Sequence, residues 1–467
     1  MRTLDCLINK QIAIVGLGIT GRSTIRYLQK KQSQLNIRLC AMDSREALVL
    51  PEAEFDNIPV ALGRFDMRML AESEVWIVSP GIALTMPEIA QSKQANTLIL
   101  GDIELFALFN QAQHNHIKVA AVTGSNGKST VVTLMHDMAQ AADMEVVLAG
   151  NIGMPILDVL DRVERQNKSD ILMVIELSSF QLETTESLAA DIACILNISE
   201  DHLDRYPDFD RYCEAKQRIY HNAQTAVYWR EDEKTHPTKH ASEKLRKLSL
   251  SNQPQKSGFG ITSDARSSDK TMTWDGERYL CASELLLFGD HNLLNVQAAA
   301  VMLREFGVSD EIIVSVAQQF SGLPHRCQHV AKKSGATWIN DSKATNVAAT
   351  IAAITGIRDA ISGRLILIAG GDSKGADLSP LVPVLRRDVD EIIVLGKDAS
   401  LIKVLCANAH QVSNLNRAVV LAAGFTEKRI GEENVVLLSP ACASLDMFKN
   451  YQHRGEQFVR AVEGLDA

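Results

Sequence analysis

The amino-acid sequence predicts an α/β protein of three domains, each built around an open, mostly parallel sheet. A glycine motif follows a short apolar strand near residue 15, and a glycine-lysine-serine loop follows another near residue 123. Apolar strands then recur at helical intervals after residue 336. With 467 residues, the chain can supply about three domains of ~150 residues each. We place the domains at residues 1–106, 107–323 and 324–467.

The composition is ordinary for a soluble α/β enzyme, with 46% hydrophobic and 22% charged residues. A net charge of −9 argues against a nucleic-acid-binding surface. The eight cysteines include no C-x-x-C pair, which indicates a reducing compartment and neither a disulfide framework nor a zinc site. No apolar run approaches the ~20 residues of a membrane span, and the charged N-terminus does not resemble a signal peptide. We therefore expect a cytoplasmic protein.

The first domain opens with a dinucleotide-binding fingerprint. Residues 11–15 read as a strand, and Gly16-Leu17-Gly18-Ile19-Thr20-Gly21 leads into a helix, which predicts a Rossmann-like domain. Asp43 ends the next strand, where a ribose-binding acid is expected, and Ser79 begins a turn after the following strand. Taken literally, the motif predicts a dinucleotide-dependent oxidoreductase. No later element supplies hydride chemistry, however, and a nucleoside-diphosphate substrate suits the motif as well.

A phosphate cradle opens the second domain. A buried strand at residues 117–122 precedes Gly124-Ser125-Asn126-Gly127-Lys128-Ser129, and an amphipathic helix follows from Thr130. Lys128 would reach the β- and γ-phosphates of a nucleotide, and the Ser129 hydroxyl would ligate Mg²⁺. Two residues separate the glycines, where the common P-loop has four. An ordinary βα turn is the alternative, but it leaves the offsets of the lysine and the hydroxyl unexplained. We predict a P-loop ATPase-like domain whose reaction stays open.

Carboxylates follow two later strands of this domain. Glu176 ends a nearly continuous apolar strand, where a magnesium ligand is expected beside a P-loop, against the alternative of a surface carboxylate. The loop of residues 197–206 carries three carboxylates, an arginine and His202. That combination suits a site for a polyanion and a metal.

Three further features of the middle of the chain have open interpretations. Lys216 reads, on its own, as a solvated helix lysine. Asn292 and Asn295 share the first turn of a helix and could bind a purine edge or cap the helix. Residues 230–256 are polar without a sustained apolar period, which predicts a surface excursion.

The third domain repeats the alternation of strands and helices. Polar loops follow its strands, and Lys343 and Lys374 lie in two of them. Because ligands bind at the carboxyl ends of parallel strands, these lysines predict a pocket for a small anionic substrate. The alternative is that they are solvated surface lysines. The predicted strands cover residues 337–340, 365–369, 391–395 and 434–438.

The order of these motifs resembles the Mur ligase family of ATP-dependent amide-bond-forming enzymes, over the whole chain. The shortened glycine loop is similar to the family's version of the P-loop. Residues 340–346 (Asn-Asp-Ser-Lys-Ala-Thr-Asn) and 439–446 (Ser-Pro-Ala-Cys-Ala-Ser-Leu-Asp) look like segments of the members that add D-glutamate. Members that add other amino acids, and folylpolyglutamate synthases, usually carry an Asp-(Tyr/Gly)-(Ala/Gly)-His-x-Pro type of segment there, which this chain lacks.

The resemblance implies a set of residues for each ligand. It implies ATP binding by Gly124, Ser125, Asn126, Gly127, Lys128, Ser129, Thr130, Asn292, Asn295, Arg326 and Asp341. It implies binding of a UDP-bearing substrate by Gly18, Ile19, Thr20, Asp43, Ser44, Ser79, Asn151 and Ser178. It implies D-glutamate binding by Lys343, Thr345, Lys374, Ser444, Leu445 and Tyr451, the last at a position where Phe is common.

The resemblance also implies the cofactors and the reaction. Two Mg²⁺ ions would be held by Ser129, Glu176, His202 and a CO₂-derived carbamate on Lys216, with Lys128, His202 and Lys216 as catalytic residues. The implied reaction joins D-glutamate to UDP-N-acetylmuramoyl-L-alanine through an acyl phosphate, for peptidoglycan synthesis. The expected partners are these small molecules, with no nucleic acid, and we expect a monomer. Two alternatives stay open: another amino-acid or folate ligase of the superfamily, and a non-catalytic P-loop regulator that binds a nucleotide sugar.

Overall fold

The structure is a computed structural model, and it confirms the predicted α/β class. The described residues form four sheets, and the chain divides into two compact units. The first unit comprises Met1–Ile261, Thr273–Glu277 and Asn295–Val316, and the second comprises Thr262–Met272, Arg278–Leu294 and Ala317–Ala467. The described residues are 2–51, 54–112, 117–166, 170–199, 201, 205–238, 241–263, 270–287, 290–358, 361–406, 409–426 and 433–465.

The N-terminal domain is built on a five-stranded parallel sheet of order β3-β2-β1-β4-β5. The strand order reverses direction between β1 and β4, which opens a crevice at the carboxyl ends of these two strands. Its elements are β1 (Gln11–Val15), α1 (Ile19–Leu35), β2 (Arg38–Asp43), β3 (Val60–Leu62), α2 (Met67–Ala71), β4 (Val75–Val78), α3 (Pro87–Ser92), β5 (Leu98–Leu100) and α4 (Asp102–Ala112).

The central domain is built on a six-stranded parallel sheet of order β11-β10-β9-β6-β8-β7. All six residues of β8 are buried, as its continuous apolar sequence predicts for a strand covered on both faces. The elements are β6 (Ile117–Thr123), α5 (Lys128–Ala141), β7 (Val146–Gly150), α6 (Ile156–Gln166), β8 (Ile171–Glu176), α7 (Ser179–Glu183), β9 (Ile192–Ile195), α8 (Phe209–Gln217), β10 (Thr225–Trp229) and β11 (Arg246–Leu250).

The prediction of a surface excursion over residues 230–256 is wrong in part, because β11 lies within it and pairs with β10. Its sequence, Arg-Lys-Leu-Ser-Leu, begins with two exposed residues. Such a polar sequence can form this strand because β11 lies at the edge of the sheet and pairs with only one neighbouring strand. Beyond it lies a small sheet, which the sequence did not predict, of order β12-β13-β14. The elements of this region are β12 (Phe259–Ser263), β13 (Lys270–Trp274), β14 (Glu277–Cys281), α9 (Asp290–Arg304) and α10 (Asp310–Gln319).

The C-terminal sheet has the order β15-β16-β20-β17-β18-β19, with only its edge strand β15 antiparallel. Along β17, Leu365 and Leu367 pack into one hydrophobic core and Ile366 and Ile368 into another, so helices cover both faces. The elements are β15 (Gln328–Lys333), β16 (Ala336–Asn340), α11 (Val347–Arg358), β17 (Leu365–Ala369), α12 (Val382–Asp388), β18 (Glu391–Val394), α13 (Ala399–Leu405), β19 (Ala409–Gln411), α14 (Leu415–Thr426), β20 (Asn434–Leu438) and α15 (Tyr451–Glu463).

Ion pairs join helix α1 of the first domain to helix α6 of the central domain. Three basic side chains of α1 meet three acidic side chains of α6 at N–O distances between 2.6 and 2.7 Å. The pairs are Arg26–Asp158, Lys30–Asp161 and Lys31–Glu164. The Tyr27 hydroxyl also donates to Glu164.

Within the described residues, no helix is long and apolar enough to cross a membrane.

Candidate active site

The glycine loop between β6 and α5 is shaped as an anion cradle at a helix N-terminus. Gly127 has a φ of +81°, a region that other residues seldom adopt. A Cβ atom there would also lie 2.5 Å from Oδ1 of Asn295. Helix α5 begins at the next residue, Lys128, so the free N–H groups of its first turn border the loop.

The loop is braced by the segment that follows β9. The Ser125 N–H donates to the carbonyl of Asn197 at 2.9 Å, and the Asn126 N–H donates to Asn197 Oδ1 at 2.8 Å. The Ser125 hydroxyl lies 3.0 Å from both Ser199 O and the Tyr212 hydroxyl. The segment after β9 thus supports the short glycine loop, in which only two residues separate Gly124 from Gly127.

Lys128 folds back over this loop. Its ammonium donates to the carbonyls of Gly124, at 2.7 Å, and Ser125, at 2.9 Å. The cation therefore lies inside the cradle, where a bound anion would meet it.

Glu176 and Ser129 meet where β8 ends beside the loop. The Ser129 hydroxyl donates to Glu176 Oε2 at 2.7 Å, and the Asn151 amide donates to Oε1 at 2.7 Å. Glu176 is 1% exposed. A buried carboxylate beside a hydroxyl offers oxygen ligands of the kind that Mg²⁺ prefers.

His202, which the sequence also predicts as a metal ligand, lies outside the described residues. Within the described part of the chain, no three or more His, Cys, Asp and Glu side chains cluster as a metal site.

Lys216 is not the solvated lysine that its helix predicts, because it is only 2% exposed. Its ammonium donates to the Gly124 carbonyl at 2.9 Å and lies 4.6 Å from the centroid of the Tyr212 ring. Burial lowers the pKa of Lys216 well below its usual value, and the charge of Lys128 lowers it further. Glu176 is among the groups that act in the opposite direction. The cradle is therefore bordered by a buried lysine whose charged form is disfavoured by desolvation.

In the first domain, the glycine turn and Asp43 form one hydrogen-bonded unit. The Leu17 N–H donates to Asp43 Oδ2 at 2.7 Å, and the Ser79 hydroxyl donates to the Gly16 carbonyl at 2.9 Å. The Arg45 guanidinium donates twice to Asp43 and, with the backbone donors, lowers the pKa of that carboxyl to about 2. Arg45 is a polar neighbour that the motif did not indicate, since the fingerprint names only the acid.

The remaining predicted residues for a UDP-bearing substrate are divided between two domains, with Gly18, Ile19, Thr20 and Ser44 in the first and Asn151 and Ser178 in the central domain. Gly18 is the N-cap of α1, followed by Ile19, which is 78% exposed, and Thr20. Ser44 is exposed after β2. Ser178 caps helix α7 and exchanges hydrogen bonds with Gln181, which is a structural role independent of any ligand.

The C-terminal sheet gathers polar side chains at the carboxyl ends of its strands. The Lys343 ammonium lies 4.2 Å from the centroid of the Tyr451 ring. The Asp341 carboxylate accepts hydrogen bonds from the Ser439 hydroxyl and the Cys327 N–H, and burial raises its pKa to about 7. Of the other residues predicted to bind D-glutamate, Thr345 is half-buried and Ser444 is buried, whereas Leu445 and Lys374 are exposed.

Three residues predicted to bind ATP are buried elsewhere in the chain. They are Asn292 and Asn295 on α9 and Thr130 on α5.

Backbone strain concentrates at this same edge. Among the described residues, the non-glycine residues with positive φ that are neither Asn nor Asp are His325, Cys327, Ser334, Lys374 and Ala441. Four of the five, all but Ser334, adjoin the carboxyl ends of the C-terminal sheet. His325 and Cys327 flank the predicted ATP ligand Arg326, and such strain is common at ligand sites.

Arg454 connects the loops of this edge, and no motif in the sequence indicates this role. It is 3% exposed. Its guanidinium donates to the hydroxyl and the carbonyl of Ser342 and to the carbonyl of Cys442, at 2.9 to 3.1 Å. The Ser342 hydroxyl in turn donates to the carbonyl of Tyr451. One buried cation thereby fixes the segments that carry Lys343, Ser444 and Tyr451.

Comparisons with known proteins agree with this architecture. Residues 10–101 match the Mur ligase MurD-like N-terminal domain, residues 122–303 the Mur ligase middle domain, and residues 325–442 the Mur ligase glutamate ligase domain. Among solved structures, MurC from Thermotoga maritima has 17% identity and a TM-score of 0.56, covering 97% of this chain and 99% of that one. MurF from Acinetobacter baumannii has 16% identity and a TM-score of 0.61, covering 97% and 93%. These structures share the fold.

Full-length relatives are closer in sequence. The UDP-N-acetylmuramoylalanine–D-glutamate ligase of Colwellia psychrerythraea is 41% identical over 100% of this chain and 99% of its own. The ligase of the same name from Marinobacter nauticus is 43% identical over 98% and 99%. Since family models match the N-terminal, middle and C-terminal parts of the chain and the relatives are similar over nearly its whole length, the chain belongs to the Mur ligase family.

Proposed function

We propose that this chain is the ATP-dependent ligase that joins D-glutamate to UDP-N-acetylmuramoyl-L-alanine in peptidoglycan precursor synthesis. The observation that carries the proposal is full-length similarity of about 40% to ligases named for this reaction. The cradle of Gly124–Ser129 and the buried Glu176 and Lys216 beside it supply a site where ATP could react.

The reaction must make a carboxylate reactive. The terminal carboxylate of the precursor attacks the γ-phosphorus of ATP, which gives an acyl phosphate and ADP. The amine of D-glutamate then attacks the acyl carbon and forms the C–N bond. The bond between the acyl carbon and the phosphate oxygen breaks, phosphate leaves with its electron pair, and the nitrogen loses a proton. Phosphoryl transfer depends chiefly on positioning and charge neutralisation. Lys128, inside the cradle, is the residue that would neutralise the transferred group.

The residues around Glu176 fit Mg²⁺, which when bound would neutralise and orient phosphate oxygens. Ser129 and Glu176 would hold one ion. A second ion would require the predicted carbamate on Lys216, together with His202. Burial of Lys216 supports the carbamate, since only an uncharged amine can add to CO₂ and burial favours that form.

The other predicted ligand sets extend the proposal to the whole chain. The UDP part would bind at the glycine turn and Asp43, with Asn151 and Ser178 facing the other end of the precursor. ATP would also meet Asn292, Asn295, Arg326 and Asp341. D-Glutamate would bind at the strained edge of the C-terminal sheet, at Lys343, Thr345, Lys374, Ser444, Leu445 and Tyr451. Domains at residues 1–106, 107–323 and 324–467, a cytoplasmic location and a monomeric state belong to the same proposal.

A product assay tests the proposed function. We expect phosphate release that requires ATP, UDP-N-acetylmuramoyl-L-alanine and D-glutamate together, with the amide product seen by mass spectrometry. Release with another amino acid or a folate in place of D-glutamate would support the alternative ligase. A non-catalytic regulator would bind the nucleotide sugar and release no phosphate.

Lys128→Ala separates a ligase from the regulator. In a ligase this change should reduce turnover by roughly 100-fold or more, because one preorganised charge is lost from the transition state. In a regulator it could weaken binding only. Lys118→Ala, which removes an exposed lysine from β6, is the matched control.

A further inference from the structure

Arg205 contacts two segments of the chain, the turn after β4 and helix α7. Its guanidinium donates to the carbonyls of Pro80, at 3.0 Å, and Ile82, at 3.2 Å. It also donates to Glu183 Oε2 at 2.9 Å and stacks 4.1 Å from the centroid of the Phe180 ring. The Arg205 side chain is only 12% exposed. All four partners lie in the first compact unit.

The partners come from two different domains. Pro80 and Ile82 belong to the turn after β4 in the N-terminal domain, immediately after Ser79. Phe180 and Glu183 belong to α7 in the central domain, whose N-cap is Ser178. Ser79 and Ser178 are both assigned to the UDP-bearing precursor, so Arg205 lies between the two walls of its proposed site.

The chemistry of these contacts requires an arginine. Two of the acceptors are backbone carbonyls and one is a carboxylate, all reached from the two terminal nitrogens of one planar group. Arginine offers five donors in a rigid fork and a flat face for an aromatic ring, whereas lysine offers one compact charge. Because the site is largely buried, these charge-assisted bonds are strong and expensive to leave unmade.

We propose that Arg205 is a positioning residue for the precursor. It sets the separation between the turn after β4, at the nucleotide end of the precursor, and α7, at the end that carries the reactive carboxylate. The inference rests on the proposed function, because that function identifies the ligand which spans the two walls. A structural role alone would lower stability and leave the balance between substrates unchanged.

The test compares Arg205→Lys and Arg205→Ala with the wild type. KM for UDP-N-acetylmuramoyl-L-alanine should rise about tenfold in the Lys variant and further in the Ala variant, in line with lost bonds to a charged donor. KM for ATP and for D-glutamate should stay unchanged. Arg211→Ala is the matched control, since that arginine pairs with Glu214 on the surface of α8 with 64% of its side chain exposed.

A double-mutant cycle strengthens this test. Glu183→Gln weakens one of the Arg205 bonds, so its effect on precursor KM should be non-additive with that of Arg205→Ala. If precursor KM is unchanged in the Lys variant, or if all three KM values rise together, the positioning role is overturned.

Direct binding separates this inference from the function on which it rests. Calorimetric titration with the precursor alone, without ATP, should show the same loss of affinity in both Arg205 variants. If the wild type binds the precursor but makes no product, the proposed function fails and the titration still decides the role of Arg205. A wild type that does not bind the precursor overturns both.

Discussion

The Ser129 hydroxyl donates a 2.7 Å hydrogen bond to the Glu176 carboxylate. The two residues are 47 positions apart in the chain, but β6 and β8 pair in parallel with Val122 opposite Glu176. Parallel pairing brings the carboxyl ends of both strands to one edge. The first turn of α5 and the tip of β8 therefore present a hydroxyl and a carboxylate to the same point.

Glu176→Gln should raise the Mg²⁺ concentration needed for half-maximal phosphate release and lower the maximal rate by roughly 100-fold, because a charge that orders the reacting phosphates is lost. The amide keeps the volume and can still accept from Ser129. Magnesium titration of the product assay measures both effects. Glu214→Gln, on the exposed face of α8, should behave as wild type, and an unchanged magnesium requirement in Glu176→Gln would refute the assignment.

Removal of CO₂ should inactivate the enzyme if Lys216 is carbamylated, and added bicarbonate should restore activity. Burial lowers the pKa of Lys216 and so favours the uncharged amine that can add to CO₂, and the carbamate would carry a negative charge. Activity is followed in degassed, CO₂-free buffer before and after addition of bicarbonate. Lys216→Ala should be inactive and indifferent to bicarbonate, whereas Lys118→Ala should respond as the wild type does. A wild type that bicarbonate leaves unchanged would rule out the carbamate.

Asp102, at the start of α4, should make stability depend on pH. It is buried, and desolvation raises its pKa from 3.8 to about 6. Since the folded protein binds this proton more tightly than the unfolded chain does, the stabilisation is complete below about pH 4 and is lost as pH rises through about 6. A pKa difference of about 2 corresponds to about 3 kcal/mol.

Urea unfolding at pH 4.5 and 7.5 measures this effect. Asp102→Asn cannot ionise, so its free energy of unfolding should fall less than that of the wild type between these pH values. Asp210→Asn, at an exposed position of α8, should keep the wild-type dependence. Equal pH dependence in wild type and Asp102→Asn would show that this carboxyl does not control it.

Arg454→Lys should weaken D-glutamate binding selectively. Burial lowers the pKa of Arg454 to about 10, so the guanidinium stays charged at neutral pH, but lysine cannot reproduce its three bonds to Ser342 and Cys442. KM for D-glutamate should rise about tenfold, with KM for the precursor unchanged. Arg460→Lys, exposed on the same helix, is the control. A uniform loss of all activity with lowered Tm would indicate a purely structural role.

The sequence predicted those features that depend on local pattern. Glycines with a lysine and a serine at set offsets identified the cradle, and β8 was recognisable because both of its faces are buried. Resemblance then supplied the roles of Asn340–Asn346 and their neighbours. Strand ends could be located because apolar runs stop there. The bounds of helices are less certain: the sequence predicts a helix from Gly21 to about Lys31, whereas α1 spans Ile19–Leu35.

Features that depend on contacts between residues far apart in the chain could not be predicted from the sequence. Nothing local distinguishes Lys216 from a surface lysine, because its burial comes from the loop around Gly124 and the ring of Tyr212. Arg205 and Arg454 are likewise defined by backbone carbonyls far along the chain. The strands β11 to β14 were missed because their short, polar sequences lack a clear alternation, and pairing, not composition, makes them strands.

The three ion pairs between α1 and α6 also bear on how the protein loses its structure. They lie within one compact unit that contains the first two sheets, and Arg205 contacts both of these domains at another place. Neither sheet can open alone without leaving charged partners behind, so we expect these two domains to melt as a single cooperative foldon. A fragment that contains only one of the two domains would lack one partner of each ion pair and should be less stable for that reason.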